Sequence, residues 1–259
     1  MSKTFIIAEA GSSHDNDLAK AYRLIEAAKE CGADAVKFQW TSDPFKMAKR
    51  RGVPRVEETG HMYKSYLAKP VSWLESLKAH CDSVGIEFMC TVYLIEDIAT
   101  IAPLVKRFKV SAFECQWLEF LNAHRTYAGR NDTHSKWKQL IASLNPGKQI
   151  PPPEWDVLHC VSEYPTPLER LKLSQSEIGP DHWKAGLSDH TTSTLTGALA
   201  VAAGATIVEK HIRLPDTDKS NPDYGHSLIA TPLDEPRYSE KDYGFSTYVR
   251  NIREAERCM

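Results

Sequence analysis

The stretch LAKAYRLIEAAKECGADAVKFQ, residues 18–39, decides the fold. Asn16 or Asp17 can cap a helix on which Leu18, Ala21, Tyr22, Ile25 and Ala28 recur at helical spacing, and Gly32 stops it. The run Ala35–Gln39 follows as a short strand that ends in polar residues. The same grammar returns twice, in DSVGIEFMCT (82–91) and AAGATIVEKH (202–211). The second unit draws its helix from about Ser72, with Trp73, Leu74, Leu77, Cys81 and Val84 on one face, and the third from about Thr194 to Gly204. Further strands are expected at Thr4–Glu9, Phe108–Ser111, Gln139–Ser143, Asp156–Val161 and Trp183–Leu187, and a closing helix at Tyr243–Arg257. Eight strands alternating with helices pair in parallel and predict an α/β fold, a (β/α)8 TIM barrel, with a doubly wound open sheet as the alternative. Pro146, Gly147 and Pro151–Pro153 crowd the short connection between Ser143 and His159, so the fifth helix is expected to be shortened or lost.

The 259 residues are 42% hydrophobic and 25% charged, the balance of one large globular domain and not of a disordered chain or a coiled coil. Thirty-two basic side chains stand against 34 acidic ones, a net charge of −2, so the field that precedes nucleic-acid or membrane binding is missing. There is no apolar stretch of membrane-spanning length and no leader pattern, and a cytoplasmic location is expected. The six cysteines, at 31, 81, 90, 115, 160 and 258, fit neither a zinc nor a disulfide spacing and read as free thiols.

In a parallel barrel the active site lies at the carboxyl ends of the strands. The strand-ending polar residues here are Glu9, Lys37, Gln39, Thr91, Lys109, Ser111, Ser143, His159, Ser188–His190 and Glu209–His211. Alternation puts Lys37 with Gln39, and Glu209 with His211, on one face each. A lysine inside a barrel mouth is costly unless it meets an anion, which points to a phosphate or carboxylate for Lys37 and Lys109. His190 and His211 close successive strands, an arrangement suited to one Lewis-acid cation, Mn²⁺, Fe²⁺, Co²⁺ or Zn²⁺. Glu9 is open between a general base, a metal neighbour and the partner of a lysine.

The segments FIIAEAGSSHDNDLAKAYRLIEAAKECGADAVKFQ, GIEFMCTVY, KVSAFE, HCVSEYPTP, GLSDHT and GATIVEKH, taken in order, resemble the sialic acid synthase (N-acetylneuraminate synthase, NeuB-like) family over about residues 4–257. The resemblance implies a transferase that condenses phosphoenolpyruvate with an N-acetylmannosamine-like aldose to a 3-deoxy-2-keto sugar acid. His190 and His211 would hold Mn²⁺ or Mg²⁺. Lys37, Thr91, Lys109, Ser111, Ser143, Ser162, Tyr164 and Ser188 fall on phosphoenolpyruvate positions, and Glu9, Gln39, Glu114 and Asp223 on sugar positions. Glu9, Lys37, Lys109 and Tyr164 are the expected catalytic set. The partners implied are these small molecules, with no nucleic acid and no membrane, and a homodimer is the implied assembly.

The chain departs from the family pattern in three places. The serine in KVSA stands one place later than in the family's K-I-A-S, so on a continuous strand it would face the other way. Ser162 stands where some members have asparagine. The family's C-terminal antifreeze-like domain is not expected here, and residues 1–259 are expected to be a single domain. Two other readings compete: a phosphorylated aldose as acceptor, and a sugar-acid-binding barrel without turnover. The Leu214–Ser227 loop, with Pro215, Asp216, Lys219, Asp223 and His226, is the candidate lid. The Lys46–His61 insertion is a second candidate, with a solvated surface loop the favoured reading for it.

Overall fold

The structure is a computed structural model that describes residues 3–53, 69–129, 137–148, 151–174, 184–231 and 244–259. Asp17 caps the first helix, its carboxylate accepting from the amides of Ala19 and Lys20. Gly85, in the left-handed region at φ 72°, ends the third. The strands are β1 (Phe5–Gly11), β2 (Ala35–Gln39), β3 (Glu87–Thr91), β4 (Arg107–Val110), β5 (Gln139–Leu144), β6 (Asp156–Cys160), β7 (Lys184–Asp189), β8 (Ile207–Arg213) and the two-residue β9 (Leu228–Ile229). The helices are α1 (Leu18–Glu30), α2 (Pro44–Arg50), α3 (Val71–Val84), α4 (Ile98–Ile101), α5 (Leu118–Tyr127), α6 (Thr196–Ala202) and α7 (Gly244–Cys258). No helix is present among the described residues between β5 and β6, as the prolines there require.

Parallel ladders run β3-β2-β1-β8-β7-β6-β5-β4, and side chains close the ring between β3 and β4. Arg107 Nε donates to Glu87 Oε1 at 2.8 Å at one end, and Thr91 Oγ1 donates to the Lys109 carbonyl at 3.2 Å at the other. The alternation of each strand sorts its residues between two cores. Ile6, Ala8, Val36, Phe38, Phe88, Phe108, Leu140 and Val208 face the helices. Ile7, Ala35, Met89, Ile141, Leu158 and Ile207 fill the barrel interior as an apolar plug. Two positions further along β1, β2, β3, β5 and β8, the same inward column carries Glu9, Lys37, Thr91, Ser143 and Glu209, polar residues expected at the mouth, and on β6 it carries Cys160.

Gly186 makes this closure possible between β7 and β8. A Cβ at that position would lie 1.7 Å from the carbonyl oxygen of Ile207, so only glycine lets the two strands pair there. The five cysteines inside the fold are buried and free, and Cys258 is exposed and free. Among the described residues no helix is long and apolar enough to cross a membrane.

The outward face of β7 and β8 carries an ion pair. Lys210 Nζ lies 3.0 Å from Asp189 Oδ2, and both side chains are fully buried. Thr191 also receives Lys210 through its carbonyl, and Tyr248 of α7 donates its hydroxyl to Asp189 at 3.1 Å. Burial pulls the Lys210 ammonium below its ordinary pKa while Asp189 pulls it back. Lys210→Met leaves the Asp189 carboxylate buried without its counter-ion, and the expected loss is about 3–5 kcal/mol of unfolding free energy by urea denaturation. The double change Asp189→Asn with Lys210→Met is expected to cost less than the single one.

Candidate active site

Above the apolar plug the barrel holds a small chamber of about 60 Å³ lined by Glu9, Lys37, Gln39, Thr91, Lys109, Ser111, Ser143, Tyr164, Ser188, His190, Glu209 and His211, together with Tyr93, Ala112 and Cys160. It opens into an outer chamber of about 560 Å³ that shares Gln39, Tyr93, Ser111, Tyr164 and His211 and adds Met47, Arg51, Val53, Phe113, Gln116, Asn145, Lys148, Ser162, Asp223 and His226.

Four buried charges lie in the inner chamber. Lys37 forms an ion pair with Glu9 and donates to Thr91 Oγ1 at 3.1 Å. Lys109 lies 3.4 Å from Glu209 Oε2 and donates to Ser143 Oγ at 2.7 Å, while Ser188 Oγ donates to Glu209 Oε1 at 3.2 Å. Burial pushes the Glu9 carboxyl up to about 7 against the pull of Lys37. The same burial acts on Glu209, yet Lys109 and Lys37 outweigh it and hold that carboxyl below its usual range. Lys37 is raised, because Glu209 and Glu9 overcome the effect of burial. Two ammonium groups, two carboxylates and three hydroxyls thus converge on one small space, an arrangement that an entering anion can reorganise by taking the place of a carboxylate.

Histidines close the chamber on one side. The rings of His190 and His211 are 5.5 Å apart, and His226 stands 4.5 Å from His211. His190 Nδ1 donates to the Val161 carbonyl at 2.9 Å, which orients its other ring nitrogen as an acceptor. Burial lowers the His190 pKa to about 4. Burial also sends His211 well below its usual value, with His226 and His190 adding to the effect. These are neutral imidazoles, the form that binds a cation. Tyr164, 54% exposed, stands over the group with its ring 4.3 Å from that of His190.

The loop 214–227 is docked as a wall. Asp223 Oδ2 accepts from the Ser12 amide at 2.8 Å and from Ser12 Oγ at 2.7 Å. Asn221 donates to the Ser12 carbonyl and to Asp15, each at 2.8 Å. Arg23 holds Asp216 through both guanidinium nitrogens, at 2.9 and 3.2 Å. Gly11, at φ +49°, admits this approach: a Cβ there would lie 2.5 Å from Asp223 Oδ2.

Every residue that the family resemblance places at the site lines one of the two chambers except Glu114. Its carboxylate is engaged elsewhere. Arg51 donates to it through Nε at 2.8 Å and Nη2 at 2.7 Å, and Ser111 Oγ donates a third bond. Glu114 therefore holds Arg51 on the wall of the outer chamber, where the guanidinium also stacks over Tyr93 and Phe113 at 4.8 and 5.1 Å. Ser162 lines the outer chamber only. Ser111 reaches the inner chamber despite its shifted position, because β4 ends at Val110 and alternation no longer applies beyond it. His159 lines neither chamber, and its neighbour Cys160 lines the inner one.

The Lys46–His61 insertion is not a solvated loop over its described part. Residues 44–50 form α2 with Met47 and Ala48 buried, Arg50 stacks on Trp117 at 4.3 Å, and positions 54–61 lie outside the described residues. Arg51 and Tyr93 were not in the expected set, and His226 was named only as part of the candidate lid. Arg51 sits in a basic run that reads as surface. The spacing Asp223-x-x-His226 was the one available signal for His226.

The NeuB family model matches residues 24–235. N,N'-diacetyllegionaminic acid synthase of Legionella pneumophila is 32% identical over 280 residues, with 98% of this chain and 73% of that protein covered. N-acetylneuraminate-9-phosphate synthase of Homo sapiens is 30% identical, covering 98% of this chain and 71% of its own length. The crystal structure of the N-acetylneuraminic acid (sialic acid) synthetase of Leptospira borgpetersenii serovar Hardjo-bovis superposes with a TM-score of 0.76 at 22% identity, over 99% of this chain and 85% of that one. That likeness speaks to the fold. The matched span takes in every strand from β2 to β9 and both histidines at the ends of β7 and β8, and the chain belongs to the NeuB family.

Proposed function

We propose that the chain condenses phosphoenolpyruvate with the open-chain aldehyde of an N-acetylated amino sugar, giving a 3-deoxy-2-keto sugar acid and inorganic phosphate. One observation carries the reading: two buried lysines, each held by a carboxylate and a hydroxyl, sit at the closed end of a cavity whose open end is nearly ten times larger. The inner chamber suits a small polyanion. The outer one suits a sugar, with Met47, Val53 and Phe113 as an apolar wall for an acetamido methyl and Gln39, Gln116 and Asn145 as partners for hydroxyls.

In this reading Lys37 and Lys109 bind the phosphate and carboxylate of phosphoenolpyruvate, with Thr91, Ser111, Ser143 and Ser188 donating around them. Glu9 and Glu209 keep the two ammonium groups in place before the anion arrives. C3 of phosphoenolpyruvate forms a bond to the aldehyde carbon, water adds at C2, and phosphate leaves by cleavage of the C2–O bond. Tyr164, above the histidines, excludes water from the junction of the chambers, and Gln39, whose buried Oε1 has no hydrogen-bond partner, orients the sugar. His190 and His211 would hold a divalent cation, which when bound polarises the aldehyde oxygen.

A phosphorylated aldose is the second reading. Lys148, on the outer chamber away from the carboxylates of the inner one, favours it. Phosphate release from phosphoenolpyruvate is expected only when an aldose acceptor and Mn²⁺ are both present. Silence across N-acetylmannosamine, bacillosamine-type sugars, free aldoses and aldose phosphates overturns the proposal. Lys109→Met is expected to lower kcat/KM by about 10²–10³, the loss typical of one preorganised donor to a developing charge. Lys148→Glu separates the acceptors: it should lower kcat/KM with an aldose phosphate by at least about tenfold and leave an unphosphorylated sugar unchanged if the second reading holds.

A further inference from the structure

The ring nitrogens and carboxylate oxygens at the mouth select a ligand set that differs from the pair ending β7 and β8. His211 Nδ1 lies 3.8 Å from Asp223 Oδ1, and His226 Nε2 lies 3.6 Å from the same oxygen. One donor atom from each of the three residues lies within 4.8 Å of the other two. Metal–nitrogen and metal–oxygen bonds of about 2.0–2.2 Å put two ligands of one ion at most about 4.4 Å apart, so both measured separations are already in range.

The three residues are buried, and the two imidazole donors lack a hydrogen-bond partner. His211, Asp223 and His226 are 6%, 7% and 3% exposed, and neither His211 Nδ1 nor His226 Nε2 has a hydrogen-bond partner. Orphaned buried acceptors or donors are costly, and one cation relieves both at once. Asp223 is prepared for the same task. Its Oδ2 is fixed by Ser12, which leaves Oδ1 turned to the two rings. Outer-shell bonds of this kind orient a ligating carboxylate.

We propose that His226, together with Asp223 and His211, ligates the divalent cation, so that the loop after β8 supplies two of the protein ligands. Asp223 is then a metal ligand in place of the sugar contact expected from the sequence. The loop could fill this role only because it is docked on the turn after β1. The inference rests on the metal-dependent reading above and goes beyond it in placing Asp223 and His226, from the loop after β8, among the ligands.

The test is direct metal binding by the full chain, without substrate. Mn²⁺ titration calorimetry and Co²⁺ absorption spectra would be recorded for the wild type, His226→Ala and His226→Cys, with metal-free melting curves as the folding control. The expected result is that His226→Ala weakens Mn²⁺ binding by at least about tenfold, the least that loss of even an outer-shell partner typically costs. His226→Cys should retain Co²⁺ and add a thiolate-to-metal charge-transfer band absent from the wild type. Wild-type affinity in His226→Ala, or no new band in a Co²⁺-loaded His226→Cys, overturns the assignment and leaves metal dependence standing. No binding by the wild type overturns both.

Discussion

The inner chamber exists because four charges buried in one layer neutralise one another. An isolated ammonium or carboxylate cannot be carried into a barrel interior without a partner. Lys37 with Glu9 and Lys109 with Glu209 meet that condition in pairs drawn from four different strands. Each pair therefore fixes the register of the strands that carry it. On β1, β2 and β8 the apolar plug lies two residues below, on the same inward column, so a slip of one residue in any of these strands would bury Ala8, Val36 or Val208 toward the chamber and turn a charge toward the helices. The polar layer and the plug are in this sense one constraint. The bond from Thr91 Oγ1 to the Lys109 carbonyl extends it across β3 and β4, where no ladder is present among the described residues.

A second constraint comes from outside the barrel. The wall that carries Asp223 and His226 belongs to a segment with almost no regular structure, and its position depends on bonds to Ser12 and Asp15, some 200 residues away in sequence. Backbone at that position must be satisfied by something. Here the β1 turn supplies the partners, and Gly11 supplies the room. The same turn begins α1 through the Asp17 cap, so one short stretch after β1 serves helix initiation and the placement of the mouth.

What the sequence made legible follows from this division. The strands and their inward residues could be read, because alternation and the helix–glycine–strand grammar are local. Lys37 with Gln39 and Glu209 with His211 do share the chamber. The end of β4 was one residue out, and with it the orientation of Ser111, because strand termini depend on what the next segment does: Ser111 turns to bond Glu114. Glu114 looked like a ligand-binding carboxylate by its place after β4. Only the fold reveals that Arg51, from a helix inserted between β2 and α3, takes both of its oxygens. The loop after β8 could be named as a candidate lid with His226 in it, but its docking was out of reach for the same reason, since no periodicity in residues 214–227 encodes a partner near the N-terminus.

The two faces of β7 and β8 bind stability and chemistry together. Asp189 and His190 are neighbours, as are Lys210 and His211, and alternation sends one of each pair outward and the other inward. The outward residues form a fully buried ion pair fastened to α7 through Tyr248, whereas the inward ones are neutral imidazoles with little of the barrel's hydrogen bonding to hold them. A buried ion pair is a poor source of net stability, but it tolerates little displacement, because both Coulomb energy and desolvation penalise a pair pulled apart. Its contribution at this position is geometric. By holding the ends of two adjacent strands at one separation, it holds the two histidines at theirs without touching either ring.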